Sequence, residues 1–280
     1  MSNEIIIKPV SGFSIGWKEL WRYRELLYFF TWKELKVRYK QAFLGVMWTL
    51  IQPLAMMIIL VLVLSKGLGL ETGIIPVPIF YLSGLLIWNL FSQSVSGAAN
   101  SMVSNANIIR KIYFPRLIIP LSSILTASFD YMISIVLFVG IGWWYHYTEG
   151  FDFPMTAVLV SFLLAWMITI VTAFGIGTLL SAINVKYRDV RYALPFLIQS
   201  LFFITPVMFD SKQFSQPILQ TILHLNPLHY AIQTIRNVLT DGQLEIMGNM
   251  SWHLPLILIT LYLLGMYVFR RMEAYFADIV

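Results

Sequence analysis

The sequence predicts an all-α polytopic membrane protein: six transmembrane helices, an N-terminal amphipathic interface helix, and short re-entrant helices before the last span. Three observations carry this. Of 280 residues, 58% are apolar and only 12% charged, far from the roughly 45–50% and 25% of soluble domains. The apolar residues fall into runs of spanning length, at roughly 20 residues per span. The basic residues are concentrated in alternate connecting segments, on one side of those runs. With no cysteine, disulfide frameworks, Cys-ligated zinc and thiol catalysis are excluded.

Residues 1–42 form a cytoplasmic tail and interface helix with eight Lys/Arg and four Glu. The first apolar run, Ile5–Ile7, is far shorter than a signal-peptide core, so no signal peptide is expected. At 100° per residue, Trp17, Trp21, Tyr28, Trp32, Leu35 and Tyr39 share a stripe about 60° wide. Lys18, Arg22, Lys33, Lys36 and Lys40 flank it, as on a helix lying in the membrane interface. Arg24 and Arg38 fall nearer the apolar side, where a charge needs a partner. Such a helix serves as an anchor for the first span; Arg38-Tyr39, at the mouth of the bundle, also suits an anionic lipid head group.

Residues 43–280 form the six-span domain. The runs are Leu44–Leu64, Ile74 to about Ser94, Leu117–Tyr145, Met155–Ile183, Ala193–Phe209 and Leu254–Phe269. The last two are short and span only with flanking residues or a thinned bilayer. Counting alternate sides, 16 of the 19 basic residues lie on one face, leaving Lys66, Lys212 and Arg236 opposite. The positive-inside rule then places both termini in the cytoplasm. Trp143-Trp144-Tyr145 with Tyr147 reads as an outer aromatic belt.

Between Asp210 and His253 two sub-span apolar runs, Ile218–Leu225 and Leu228–Leu239, start beside Pro217 and Pro227. Their length suggests an external re-entrant hairpin over about 210–240, or two helices on the outer surface.

No P-loop, H-E-x-x-H, G-x-S-x-G or acidic calcium loop occurs, so ATP must be hydrolysed elsewhere and no metal or cofactor is expected on this chain. His224 and His229, about 140° apart on a continuous helix, would not share a face. Asp130 is the sole acid well inside a run and must face protein or water; hydrogen bonding to Ser, Thr or Tyr fits it better than proton coupling, which wants titratable partners in other spans. Trp48 and Gln52 share a face of the first span, and Gln199, Phe202, Phe203 and Pro206 one of the fifth. Amide-plus-aromatic faces point into a bundle; they serve interhelical packing and equally suit sugar rings. In the cytoplasmic loop at about 104–114, Ile108, Ile109, Ile112 and Tyr113 recur at helical spacing beside Arg110 and Lys111, as on a docking helix.

Taken in order, Asn107–Arg116 (NIIRKIYFPR), Asn184–Tyr192 (NVKYRDVRY), Thr205–Phe209 (TPVMF) and Leu225–Tyr230 (LNPLHY) resemble the membrane subunit of type-two ABC exporters. Within these they are most similar to the polysaccharide-export permeases of the Wzm and KpsM kind, the O-antigen and capsule exporters. The resemblance covers nearly the whole chain from Trp17 onward. It implies a non-enzymatic homodimeric permease in the bacterial inner membrane. Two copies of a separate ATPase bind ATP and Mg, and the cargo is a glycan on undecaprenyl diphosphate; no nucleic acid is involved. It further implies a substrate entrance at the Tyr39–Gly45 turn, with Arg38, Tyr39, Leu44 and Gly45. Channel lining falls to the first and fifth spans (Trp48, Gln52, Gln199, Phe202, Phe203, Phe209), and ATPase coupling to Asn105, Ile108, Ile109, Arg110, Lys111, Ile112 and Tyr113. The external hairpin would gate the exit. The alternatives are an exporter of drugs or small lipids with the same fold, an intramembrane glycosyl- or acyltransferase, for which the outer acids are too scattered, and a proton-coupled transporter.

Overall fold

The computed structural model describes residues 17–40, 44–70, 72–187, 189–211, 216–242 and 253–273, with side chains from residue 19 onward. Ile5–Ile7, the side chains of Trp17 and Lys18, part of the Tyr39–Gly45 turn (41–43), Arg188, and Lys212 with the rest of 212–215 lie outside the described residues. Within them every regular element is helical. α1 is Trp17–Arg22, α2 Arg24–Lys40, α3 Met47–Leu60, α4 Val77–Ser104 and α5 Ala106–Ile109. There follow α6 Ile118–Glu149, α7 Met155–Lys186, α8 Val190–Ile204, α9 Pro217–Leu225, α10 Pro227–Asp241 and α11 His253–Glu273.

Four of the described helical segments are long and apolar enough to cross a membrane: Met47–Gly67, α6, α7 and α11. The first is α3 continued by a π-helical turn, Val61–Gly67. α8 is apolar but has only 15 residues, about 22 Å at 1.5 Å per residue against a hydrocarbon core of about 30 Å. α4 has length to spare, and it runs ten residues past the Ser94 expected from hydropathy. It is less apolar because it is the central post, packed against α3, α6, α7, α8 and α10. Eighteen of its 28 residues are buried, so Ser83, Ser94 and Ser101 meet protein, and lipid imposes no apolar requirement on that surface.

The central packing depends on small residues. A Cβ on Gly177 of α7 would lie 2.8 Å from the Ala98 Cβ of α4. Asn184 of α7 donates to the Ala99 carbonyl of α4 at 2.8 Å and to Asn100 Oδ1 at 3.2 Å. Between α7 and α11 two glycines nest: a Cβ on Gly175 would lie 2.6 Å from the Leu261 carbonyl, and one on Gly265 would collide with the Gly175 carbonyl. Because the obstacle is backbone, it cannot rotate away.

The two apolar runs begun by prolines are indeed helices. Pro217 and Pro227 each sit in a first turn, where their missing N–H costs nothing. Asn226 separates them; its side chain accepts from Leu228 N at 3.0 Å and donates to Thr205 Oγ1 at 2.9 Å. α10 is buried against α7 and α4. α9 is mostly exposed. The break also changes the histidine geometry: with α9 and α10 at an angle, the rings of His224 and His229 lie 5.5 Å apart. No group of three or more metal-ligating residues occurs among the described residues.

Gly265→Leu is expected to abolish a monodisperse peak in size-exclusion of detergent-extracted protein. Gly140→Leu, where a Cβ meets nothing within 4 Å, is expected to leave the profile unchanged.

Candidate functional site: two joined cavities and a charged floor

α2 carries a third face besides its aromatic stripe and basic flank. Tyr28 and Trp32 point outward, 69% and 55% exposed, as does Trp21 of α1 at 72%. Phe30 is buried, packed on Phe114. One turn on, Glu34 accepts from Ser123 Oγ at 3.0 Å, Thr126 Oγ1 at 3.2 Å and Ser122 Oγ at 3.5 Å, all on α6. Burial raises the Glu34 carboxyl above its ordinary range, against these hydroxyls and Arg38, which pull it down. Another turn on, Arg38 forms an ion pair with Asp130 of α6 and donates to Gln93 Oε1 at 3.1 Å. Tyr39 donates its hydroxyl to the other Asp130 oxygen. Burial, then the Asp130 carboxylate, hold the Tyr39 phenol in its protonated form well above neutral pH.

Thus the acid that needed a partner and the arginine that needed one satisfy each other, and Tyr39 leaves the outward stripe to join them. Arg24 instead stays exposed, over the Trp21 ring at 5.5 Å. Because residues 30, 34 and 38 meet 114, 122–126 and 130, α2 runs parallel to α6.

Above this pairing lies a cavity of about 330 Å³, lined by Arg38, Tyr39 and Asp130 with Gly45, Trp48, Gln52, Asn89 and Gln93 among others. Gly45 has φ +47°, a left-handed turn that L side chains rarely adopt. Trp48, Gln52 and Asn89 are also walls of a second, larger cavity of about 880 Å³ between α3, α4 and α8, which Gln199, Phe202 and Phe203 help to line. The two expected amide-plus-aromatic faces therefore meet. Phe202 is buried and packs on Trp88 at 5.2 Å; Phe203 is 61% exposed. Leu44 lies at the exposed turn before α3, outside the cavity walls. Phe209 lies apart from both, and its carbonyl accepts from Arg236 at 3.1 Å.

Arg236 was counted from the sequence only as an outer charge. It is 3% exposed on α10 and donates to the carbonyls of Pro206, Val207 and Phe209 at 2.8, 3.0 and 3.1 Å, and to that of Phe80 at 3.4 Å. Its guanidinium also lies 3.6 Å from the Phe80 ring centroid. The non-helical stretch after α8 exposes carbonyls that one arginine satisfies. The available signal was the lone arginine inside the Leu228–Leu239 apolar run.

The segment at 104–114 is helical only over Ala106–Ile109, with a further turn to Ile112 closed by Ile112 N to the Ile108 carbonyl at 3.1 Å. Its apolar residues divide. Ile109 and Phe114 are buried with α2 and α6 residues, Ile108 packs partly against them, and Ile112 and Tyr113 are 61% and 64% exposed beside exposed Arg110 and Lys111. The outward apolar knob is accordingly Ile112 with Tyr113. Asn105 Oδ1 accepts from Lys33 of α2 at 3.2 Å.

A family model described as "ABC-2 type transporter" matches residues 25–240. The O-antigen export system permease protein RfbA of Myxococcus xanthus is 31% identical over 212 residues, 75% of this chain and 78% of that protein. The protein of the same name in Klebsiella pneumoniae is 27% identical over 256 residues, 91% of this chain and 95% of its own length. The polysialic acid transport protein KpsM of Escherichia coli is 23% identical over 245 residues, 86% and 91% of the two chains.

Arg236→Met is expected to strip this donor from the carbonyls of Pro206 and Val207. At about 1–3 kcal/mol for each buried group so stranded, a clear fall in the thermal unfolding midpoint of purified protein should result.

Proposed function

The chain belongs to the ABC-2 type transporter family, and on that premise we propose that it is the permease of an ATP-driven exporter that moves an undecaprenyl diphosphate-linked polysaccharide, of the O-antigen or capsule kind, across the bacterial inner membrane. Relatives along most of the chain bear the names of O-antigen and polysialic acid exporters. The observation that carries the reading is the shared wall of the two cavities. A charged lower chamber shares Trp48, Gln52 and Asn89 as wall residues with a larger one edged by aromatic rings and amides. Such a path offers stacking faces and sparse hydrogen-bonding groups at successive levels, which suits a polymer sliding through better than one tightly held small molecule.

In this reading α3, α4, α6, α7, α8 and α11 are six spans with both termini cytoplasmic, α8 completed by flanking residues. With the Trp143–Tyr147 belt at the outer interface, Asp130 lies about 20 Å below it, in the cytoplasmic part of a core about 30 Å thick. Arg38, Tyr39 and Gly45 then border the entrance, where the diphosphate arrives. The α9–α10 hairpin forms a re-entrant element at the exit. Met47, Ile58 and Ile59 of α3 with Phe196 and Phe203 of α8 remain exposed, which supports a homodimer that completes the channel. Two copies of a separate ATPase, carrying ATP and Mg, dock on Ile112 and Tyr113 with Arg110 and Lys111 around them. Nucleotide binding there moves α2 and α6 through Lys33–Asn105 and the Phe30–Phe114 contact.

Ile112→Asp with Tyr113→Asp is expected to prevent co-purification of the ATPase while the permease stays folded, because both side chains are outside the core; retained co-purification would remove the docking surface. Trp48→Ala and Phe203→Ala are expected to lower surface glycan several-fold on immunoblots. Unchanged glycan would assign both rings to packing, and export that saturates with short soluble compounds would favour a drug or small-lipid exporter.

A further inference from the structure

The cation and the hydroxyl at the entrance are already occupied. Both oxygens of Asp130 are engaged, one by Arg38 and the other by Tyr39. The pair is asymmetric: the Arg38 side chain is 41% exposed and that of Asp130 only 6%. A group arriving from outside therefore meets the guanidinium first, with the carboxylate behind it. Arg38 uses a single nitrogen, Nη1, for both its hydrogen bonds, to Asp130 and to Gln93. Tyr39 lies within hydrogen-bonding reach of the same guanidinium, a group built to grip phosphate oxygens in a fork. The outward Tyr28 and Trp32 on the same helix, stacked at 6.4 Å, hold that approach at the level of lipid head groups.

We propose that Asp130 is a specificity-determining charge filter at this entrance: its carboxylate is an internal competitor that admits a lipid head group with two negative charges and holds out phosphodiester lipids with one. The proposal rests on the reading of the chain as a permease for diphosphate-linked lipid, and deepens it. A site at the inner leaflet is bathed in singly charged phospholipids. Replacing a carboxylate on Arg38 by a phosphodiester exchanges one negative charge for another and gains little. A diphosphate diester brings two charges and enough oxygens for both the Arg38 fork and Tyr39, so it displaces Asp130. An uncharged residue at 130 would leave Arg38 open to whichever anionic lipid is most abundant. In the empty state the same ion pair closes the floor of the lower cavity, so cargo entry and opening of the floor become one event.

The test uses the full-length permease with its ATPase partner in lipid nanodiscs, with bound lipids counted by native mass spectrometry. The probes are undecaprenyl diphosphate, phosphatidylglycerol and free inorganic diphosphate. The wild type is expected to favour undecaprenyl diphosphate over phosphatidylglycerol by at least about tenfold, equivalent to ~1.4 kcal/mol. Asp130→Asn is expected to lose most of that preference by binding phosphatidylglycerol, and Asp130→Glu to keep it. Free diphosphate is expected to compete poorly; equal competition would make the site one for soluble phosphates and overturn the lipid filter. An Asn variant with unchanged selectivity, or a wild type that binds both lipids alike, would overturn it too, the second without relying on any variant folding. A wild type with this head-group selectivity whose deletion leaves surface glycan unchanged would count against the proposed cargo and leave the filter standing.

Discussion

A carboxylate placed among apolar helices must be compensated, and much of the packing of α2 in this protein is arranged around that requirement at Asp130. Compensation comes from Arg38 and Tyr39, about 90 residues earlier in the chain, so α2 must lie along α6 in one register. That register sets the hydroxyl contacts of Glu34 and the burial of Phe30, and brings Lys33 to Asn105. It also fixes where the chain turns at Gly45 into α3, and hence which face of α3 fronts the cavities. A mid-membrane charge costs at least about 2.5–3.5 kcal/mol to insert, and pairing it is what makes a docked amphipathic helix preferable to a loose one.

Much of this was legible in the sequence, for identifiable reasons. Helices α6, α7 and α11 face lipid over much of their length, so mean hydropathy marks their cores to within a few residues. Pro217 and Pro227 marked the starts of α9 and α10 because proline is tolerated in a helix's first turn. The faces of Trp48 with Gln52 and of Gln199 with Phe203 were visible because 100° of rotation per residue is a property of the helix alone. Arg38 was flagged as needing a partner, and Asp130 likewise.

What stayed hidden depends on relations between elements. Nothing local says that Arg38 and Asp130 answer one another, since pairing is set by how two helices lie. The full extent of α4 was obscured because burial by neighbours relieves a helix of the need to be apolar. Ile109 and Ile112 look alike in a periodicity count, and only the packing of Phe30 and Phe114 beneath the loop makes one a core residue and the other a surface one. His224 and His229 seemed to diverge because the rotation count assumed a continuous helix, which Asn226 interrupts.

The carbonyls gathered by Arg236 carry an implication for how the chain is made. Pro206, Val207 and Phe209 emerge from the ribosome 27 to 30 residues before the arginine that satisfies them, and Phe80 emerges 156 residues before it. Until α10 has been synthesised and packed against α4 and α7, the stretch that follows α8 lacks the donor that gathers its carbonyls. Folding of this half is therefore not strictly sequential along the chain: the end of α8 takes its final place only after a residue the ribosome has yet to add.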